Sequence, residues 1–386
     1  MIGHTHSSTH PPLPPTTEDD RLDWLRLLRS RRVGPTTFWR LLAEHGSARA
    51  GLAALPAMAA AAGLSDYRIC PEGVVQAELA AGRRVGAQLV RRGDPGYPPA
   101  LCDLDDAPPL LWLHGRADLA ARPAVALVGA RNASSLGMRM ARQLAEGLGA
   151  AGWLVVSGLA RGIDAAAHEG ALPTGTAALL GGGVDVIYPQ ENAGLFRRMA
   201  AEGLLLSEQP PGTEPQARHF PARNRLVSGM ARVVVVVEAA PKSGTLITAR
   251  CALDQGREVM AVPGHPFDGR AGGCNMLLRD GARLVRDAAD VLEALEGMGT
   301  PAPAPAPVAE RAPLVIPPAP PERRTLRETA SLHARILARL GAAPVPEDEV
   351  IRDLGGRPAE ISPVLTDLEL EGRVERRPGG LLSLIR

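Results

Sequence analysis

The 386-residue chain lacks the usual marks of a secreted, membrane-embedded or strongly basic protein. No apolar run approaches the ~20 residues that a membrane helix needs. The formal net charge is only +1. The four cysteines form no C-x-x-C pair and have no zinc-ligand spacing: Cys70, Cys102, Cys251 and Cys274. These absences exclude a disulfide framework and predict a cytoplasmic protein with no metal site and no membrane contact.

Lysine and aromatic residues are also scarce. Aromatics make up 3% of the chain, and Lys242 is the single lysine, so the positive charge is carried by arginine. Because acidic and basic residues are balanced, a nucleic-acid site would have to be a local cluster of arginines. An aromatic residue beside such a cluster would therefore favour a nucleic-acid site.

The segment from Ala124 to Leu172 organises the rest of the chain. It reads as strand, loop, helix, strand, loop and helix, because two short apolar runs are separated by an apolar pattern of helical spacing. This is a βαβ unit, and ligands bind beyond the carboxyl ends of its strands. Polar and charged residues of the two loops should share this edge: Arg131, Ser157, Arg161 and Asp164.

The first loop does not fit a dinucleotide. The fingerprint G-x-G-x-x-G needs a glycine where this chain has Arg131, and the guanidinium would block close approach of a pyrophosphate. Arg131 can itself bind a phosphate of another ligand. We therefore expect no nicotinamide or flavin cofactor.

Strand and helix patterns continue to residue 297 and predict a doubly wound, parallel, Rossmann-like α/β domain over 122–297. A small helical domain, similar to SAM or helix-hairpin-helix modules, is predicted over 19–82, with a lead-in segment over 83–121. A disordered tail (1–18), whose histidines offer at most a loose metal site, and a Pro/Ala-rich linker (298–322) are expected. Three helices and a hairpin over 323–386 describe a winged helix.

The turn before Phe38 resembles that of a helix-hairpin-helix, which offers backbone N–H groups to a DNA phosphate. Arg32 stands where the first glycine of that turn is usual. This turn can serve structural packing or DNA contact, and we favour packing.

A second group of unusual residues lies between 215 and 237, where four arginines occur without an acid. Arg223-Asn224-Arg225 at the start of a helix can present two guanidinium groups to phosphates. Phe220 offers a ring on which a base can stack. The alternative is that Arg223 and Arg225 pair with acids at the sheet edge, such as Glu208 and Glu238.

A third group follows the strongest strand pattern, RVVVVV. Ser243-Gly244-Thr245 opens a helix and predicts an anion site made of N–H groups and hydroxyls, to which Lys242 adds charge. The order of a Walker A loop is absent. The alternative is that Ser243 only caps the helix.

No convincing catalytic group is present. Asp164 and His168 share one helix face, but we expect Asp164 to orient the preceding loop and His168 to pack beside it. The sequence thus favours a binding protein over an enzyme.

Six motifs in order resemble the DNA-processing protein A (DprA, also called Smf) family: VALVGAR, SGLARGIDAAAH, YPQEN, FPARNR, VVVVEAAPKSGTLITA and VPG…GCN. The resemblance implies a cytoplasmic bacterial protein that binds single-stranded DNA through the sheet domain and dimerises through it. It also implies protection of incoming DNA and loading of RecA recombinase during natural transformation, with single-strand-binding protein as a further partner.

Carried over by position, Gly129, Arg131 and Arg223-Asn224-Arg225 match the DNA-contacting motifs, and Ser243-Gly244-Thr245 matches a further motif at the same edge. The chain departs from the family at Gln190-Glu191, where a basic residue is common, and at Arg32. The DNA-binding residues predicted in all are Gly129, Arg131, Ser157, Gly158, Arg161, Phe220, Arg223, Asn224, Arg225, Lys242, Ser243, Gly244 and Thr245.

Two other functions are alternatives. Rossmann-like nucleotide phosphoribohydrolases carry a P-G-G-x-G-T loop and a catalytic glutamate, but Leu246 and Ile247 follow the corresponding loop here, with no acid in place. A winged-helix transcription regulator would place its third helix in the major groove. That helix carries carboxylates, which phosphates repel: Glu360, Asp367, Glu369 and Glu371.

Overall fold

The computed structural model describes residues 18–64, 66–298, 326–341, 344–355, 361, 364–365, 368–369, 373–377 and 381–384. The chain divides into two units between residues 301 and 302, and each is described by itself. The Pro/Ala-rich linker lies outside the described residues except for residue 298, and so does the predicted tail except for residue 18. No helix in the described parts of the chain is both long and apolar enough to cross a bilayer.

The first unit opens with four helices, α1 (Glu18–Arg29), α2 (Pro35–His45), α3 (Ala48–Ala61) and α4 (Glu72–Arg84). Their apolar faces meet around three rings, Trp24, Phe38 and Trp39, which make edge-to-face contacts with centroids 5.0–5.7 Å apart. The predicted helical domain is confirmed.

In the turn before α2, Arg32 adopts the left-handed conformation that favours glycine, with a φ of 63°. Val33 in the same turn is buried, and the Trp39 indole N–H donates to the carbonyl of Ala107, 2.7 Å away. These contacts favour structural packing as the role of this turn. Arg32 itself is exposed, so a DNA contact by this residue stays a prediction.

The sheet of the first unit contains nine strands in the order β1-β2-β6-β5-β4-β3-β7-β8-β9. Strands β3 to β9 run parallel to one another, whereas β2 is antiparallel to both β1 and β6. The strands are β1 (Gln88–Arg91), β2 (Leu110–Gly115), β3 (Ala124–Val128), β4 (Leu154–Ser157), β5 (Thr176–Leu179), β6 (Leu204–Ser207), β7 (Val233–Val236), β8 (Glu258–Ala261) and β9 (Arg283–Leu284).

From β3 the chain adds strands in one direction as far as β6, and it then returns to add β7, β8 and β9 on the other side. This is the predicted doubly wound topology, and its switch point lies between β3 and β7. In open α/β sheets this point marks the ligand-binding crevice at the carboxyl ends of the strands.

Both faces of the sheet are covered because side chains alternate along each strand. Val125 and Leu127 of β3 face one layer of helices, and Ala126 and Val128 face the other. The seven helices that follow β3 in this unit are α5 (Ser135–Ala150), α6 (Ile163–Ala171), α7 (Ala193–Glu202), α8 (His219–Met230), α9 (Gly244–Asp254), α10 (Gly272–Arg279) and α11 (Ala288–Gly297).

The lead-in segment belongs to the sheet. Strands β1 and β2 lie within residues 83–121 and extend the sheet beyond β6, so the sheet begins at Gln88 rather than near residue 122. Short 3-10 turns and prolines separate these strands, and this punctuation hides their periodicity in the sequence.

The second unit contains helices α12 (Leu326–Arg339) and α13 (Glu347–Asp353) and a small sheet in the order β10-β12-β11. Its strands are β10 (Val345–Pro346), β11 (Val374–Arg377) and β12 (Leu381–Leu384). The described residues between 361 and 369 are helical, and Ile361, Leu365 and Leu368 are buried with Ile336 and Leu382. This arrangement agrees with the predicted winged helix.

Candidate nucleic-acid interface

Two adjacent depressions lie along the carboxyl edge of the nine-stranded sheet. The first, which we call the β5 depression, lies between the loops that follow β4 and β5. The second, the β7 depression, lies between the loops that follow β3 and β7. Five residues contribute to both: Arg131, Gly158, Ala160, Phe220 and Arg223.

The boundary between the two depressions is formed by a cation and a ring. The Arg131 guanidinium carbon lies 5.1 Å from the centroid of the Phe220 ring. Tyr188 packs against the same ring, with centroids 5.6 Å apart and the planes tilted by 36°. Arg131 is exposed and has no acidic partner among the described residues. It therefore presents an uncompensated positive charge beside an aromatic face.

Arg223 differs from Arg131 because it is buried. Its Nη1 donates to the carbonyl of Leu179 at 3.0 Å, and its Nε is buried without a partner. A Cβ atom at Gly158 would lie 1.5 Å from this Nη1, so glycine is needed there to let the guanidinium pass beneath the loop. Burial lowers the pKa of Arg223, and the nearby Asp164 opposes that shift.

Asp164 organises the loop after β4, as expected. Its Oδ2 accepts hydrogen bonds from the amides of Gly158 at 3.1 Å and Ala160 at 3.3 Å. Burial raises the pKa of Asp164, whereas the Arg223 guanidinium and these amides oppose the rise. The Asp164 carboxylate thus holds the loop after β4 and balances the charge of Arg223. It is poorly placed to transfer a proton to a ligand.

His168 is buried on the same helix. Its Nδ1 lies 2.7 Å from the hydroxyl of Thr176, and this hydroxyl donates its proton to the carbonyl of Val155. Nδ1 must then be the donor to Thr176, and Nε2, buried without a partner among the described residues, is the unprotonated nitrogen of a neutral ring. Burial lowers the pKa of His168 to about 3.

Arg225 pairs with an acid at the sheet edge, which was the alternative to phosphate contact for this residue. Its guanidinium lies 2.6 Å from a carboxylate oxygen of Glu208 and 3.2 Å from one of Asp106. Burial raises the pKa of Glu208, and the Arg225 charge opposes this. Glu238, the other acid considered, instead accepts from the amide and hydroxyl of Ser134 before α5.

The start of α9 faces the β7 depression. Ser243 occupies the N-cap position, yet its side chain makes no capping hydrogen bond, and its Oγ is buried without a partner. The capping alternative for this side chain is therefore wrong. The Thr245 hydroxyl donates to the carbonyl of Gly129 at 3.1 Å and ties this helix to the loop after β3. Free N–H groups of the first turn supply a positive end to the depression.

Most of the predicted residues come together in these linings: Gly129, Arg131, Gly158, Arg161, Phe220, Arg223, Asn224, Ser243, Gly244 and Thr245. Three do not. Ser157 is buried and donates to the carbonyl of Leu127, Arg225 is held by its two acids, and Lys242 is exposed outside both linings. Gly129 lines the β7 depression through its backbone, since a Cβ there would meet Ile163 at 2.5 Å.

Among the lining residues outside the predicted set, Tyr188 and Arg270 add a second ring and a further cation. Tyr188 belongs to the YPQEN motif, and its contact with Phe220 joins loops 32 residues apart in sequence, which no local pattern reveals. Arg270 reaches the β7 depression from the loop after β8. The signal available for Arg270 was its position between the two halves of the VPG…GCN motif.

Sequence comparison gives three adjoining matches. The profile described as DNA recombination-mediator protein A matches residues 88–296, the DprA-like N-terminal HHH domain matches 18–81, and the DprA winged helix domain matches 318–380. Protein Smf of Escherichia coli is 36% identical over 300 residues, which cover 75% of each chain. DNA processing protein DprA of Streptococcus pneumoniae is 44% identical over 205 residues, 53% of this chain and 72% of that protein.

In a third alignment, 42% identical over 214 residues, the chain spans only 54% of the length of protein Smf of Synechocystis. Solved structures of DNA processing protein A are also similar to this chain. The S. pneumoniae DprA structure has a TM-score of 0.52 at 43% identity and covers 53% of this chain and 73% of that one. DNA processing protein A from Helicobacter pylori, described for its single-stranded DNA binding mode, has a TM-score of 0.51 at 31% identity. The match covers 55% of this chain and 96% of that one.

Proposed function

Since this chain belongs to the DNA recombination-mediator protein A family, we propose that it binds single-stranded DNA along the carboxyl edge of its sheet. The observation that carries the proposal is the contact between Arg131 and Phe220 at the boundary of the two depressions. An unpaired cation beside an aromatic face is what a flexible strand requires, because one group binds phosphate and the other stacks with a base.

The architecture of the site supports binding without base sequence preference. Stacking uses the face that every base has, and phosphate contacts carry no sequence information. Arg161 is the second exposed cation in the lining, and it lies 3.3 Å from Glu191, so a phosphate must compete with that carboxylate. The start of α9, with the unpartnered Ser243 hydroxyl, supplies neutral donors for a further phosphate.

We further propose that the protein acts as a recombination mediator. In this role it protects incoming single strands, loads RecA recombinase on them during natural transformation, and works as a homodimer formed through the sheet domain, with single-strand-binding protein as a further partner. The support is the resemblance of all three parts of the chain to DprA sequences.

We propose a binding protein rather than an enzyme. A phosphoribohydrolase would need an acid next to the loop that follows β7, and Leu246 and Ile247 stand there. Asp164, an acid in the lining of the β7 depression, is held by two amides and faces Arg223. Incubation with nucleoside monophosphates should release no free base, and consumption of the nucleotide would contradict this proposal.

The direct test of the proposed function is a gel-shift titration of the full chain with a labelled single strand in the presence of unlabelled duplex competitor. We expect a shift that duplex of the same length does not remove, because a stacked base must be unpaired. Complete loss of the shift when the duplex is added would mean that the edge of the sheet is not a single-strand site.

A further inference from the structure

The few aromatic side chains of this protein are distributed unevenly between core and surface. The four tryptophans, three tyrosines and four phenylalanines all lie within residues 18–298. Only two of these residues are exposed, Tyr188 at 46% and Phe267 at 94%. Both lie in loops at the carboxyl edge of the sheet, Tyr188 after β5 and Phe267 after β8.

Tyr188 is explained by the site already described, since it packs on Phe220. Phe267 is not part of either depression. It lies in the loop 262–271, and Arg270 of that loop reaches the β7 depression. The exposed ring therefore lies three residues along the chain from a residue that lines the proposed DNA site.

Hydrogen bonds within the loop fix the backbone that carries the ring. The Phe267 amide donates to His265 Nδ1 at 3.3 Å, and the Asp268 amide donates to the His265 carbonyl at 2.9 Å. The Arg270 side chain donates to the Asp268 carboxylate at 3.0 Å. The rings of His265 and Phe267 lie 5.5 Å apart and are tilted by 41°, which leaves most of the phenylalanine surface open.

The chemistry of this loop selects a neutral, flat ligand over a charged one. Asp268 and Arg270 neutralise each other, so the loop adds little net charge toward phosphate. A ring fixed outward can instead stack with an unpaired base of any sequence. Preorganisation by the loop lowers the entropy cost of that contact.

We propose that Phe267 is a second base-stacking platform, which extends the single-strand path from Phe220 across the sheet to β8. This inference rests on the proposed function. Phe220 lies against the loop after β5, and four strand spacings of about 4.8 Å separate β5 from β8, a distance on the order of 19 Å. A strand that contacts both rings must therefore be several nucleotides long.

The test uses the full chain and two labelled oligothymidylates of about 4 and about 16 nucleotides, the range of site sizes in single-strand-binding folds. Fluorescence anisotropy gives the Kd of each. We expect Phe267→Ala to weaken binding of the longer strand by at least about fivefold, with an unchanged salt dependence, and to leave the shorter strand unaffected. Phe220→Leu should weaken binding of both.

Leu253→Ala is the matched control, because Leu253 is also exposed, at 59%, but lies in the last turn of α9, at the other end of that helix. Equal binding of the longer strand by Phe267→Ala and wild type would overturn the inference while leaving the proposed function intact. A change in molar mass of Phe267→Ala by light scattering would also overturn it, because the ring would then cover a second copy of the chain. Failure of the wild type to bind either strand would instead refute the proposed function itself.

Discussion

Arg131, Arg223 and Arg225 occupy one edge of the sheet in three different environments. Arg131 is exposed beside an aromatic ring, Arg223 is buried beneath a glycine loop, and Arg225 is held between two carboxylates. Only the first of these has a charge free to attract an anion. At the scale of single residues, burial and partners therefore decide which arginine can bind DNA, although all three belong to motifs of the same kind.

Arg131→Ala should weaken single-strand binding for every base sequence and reduce the slope of log K against log salt by about 0.7, the value for one lost phosphate contact. Arg84→Ala is the matched control. Arg84 ends α4 just before β1, at the opposite edge of the sheet, and it is exposed without an ion pair to any residue that the structure describes. Anisotropy titrations across a salt series measure both slopes. Equal slopes for Arg131→Ala and wild type would remove Arg131 from the site.

At the scale of elements, α8 fixes the geometry of the site. Its first turn places Phe220 at the boundary of the depressions, and Arg223 and Arg225 anchor the helix to the sheet through Leu179 and Glu208. The loop after β4 is anchored by Asp164 of α6. The lining is thus held by buried polar contacts on two helices, and its shape depends on their integrity.

Arg225→Ala should destabilise the first unit by about 3 kcal/mol, because the Glu208 carboxylate, whose side chain is only 19% exposed, would lose its cation. Urea unfolding followed by tryptophan fluorescence measures this, since all four tryptophans lie in residues 18–298. Arg218→Ala removes the same charge from an exposed position beside α8 and should change stability by less than about 0.5 kcal/mol. A stable Arg225→Ala protein with a reduced salt slope for DNA would show instead that Arg225 contacts phosphate.

The buried ring on α6 makes the stability of the first unit depend on pH. The pKa of His168 in the folded state is about 3, below its ordinary value of 6.5, so the unfolded state binds the proton more readily. The neutral His168 ring therefore contributes fully to the free energy of unfolding above pH 6.5, and this contribution is lost as the pH falls toward 3. Between pH 7 and pH 5 we expect the wild type to lose about 2 kcal/mol more than His168→Gln.

Urea titrations at the two pH values measure this difference. The corresponding variant of the exposed His265 should behave as the wild type does. Identical pH dependence of the wild type and His168→Gln would show that the His168 ring can be protonated in the folded protein.

At the scale of the whole molecule, the proposed DNA site lies entirely in the first unit. The second unit has its own apolar core around Ile336, Leu365 and Leu382. The helix predicted over 358–371, which is only partly described, carries acidic residues, and they disfavour contact with a duplex. The two units should therefore contribute separately to function.

Removal of residues 300–386 should leave the affinity for single strands unchanged within about twofold, because a surface outside the site contributes little to its energy. Anisotropy on the full and the shortened chain compares the two, with duplex affinity measured in parallel. Loss of most single-strand affinity on shortening would transfer the main DNA contact to the second unit.

The sequence by itself determined the order of the strands along the chain, the parallel character of the sheet, the helical domain and the loops at the carboxyl edge. Those features follow from local periodicity and from turn residues, which act over short stretches of chain. The sequence did not reveal β1 and β2, because prolines lie between them and because β2 joins the sheet through β6, about a hundred residues later in the chain.

Only the tertiary structure decided how the arginines are used. Whether a guanidinium is free depends on acids far away in sequence, such as Glu208 and Asp106 for Arg225, and on the depth at which folding buries it, as for Arg223. Phe267 shows the same limit, since a phenylalanine is ordinarily expected in a core. Its exposure arises because the loop after β8 closes on its own hydrogen bonds rather than on the apolar interior.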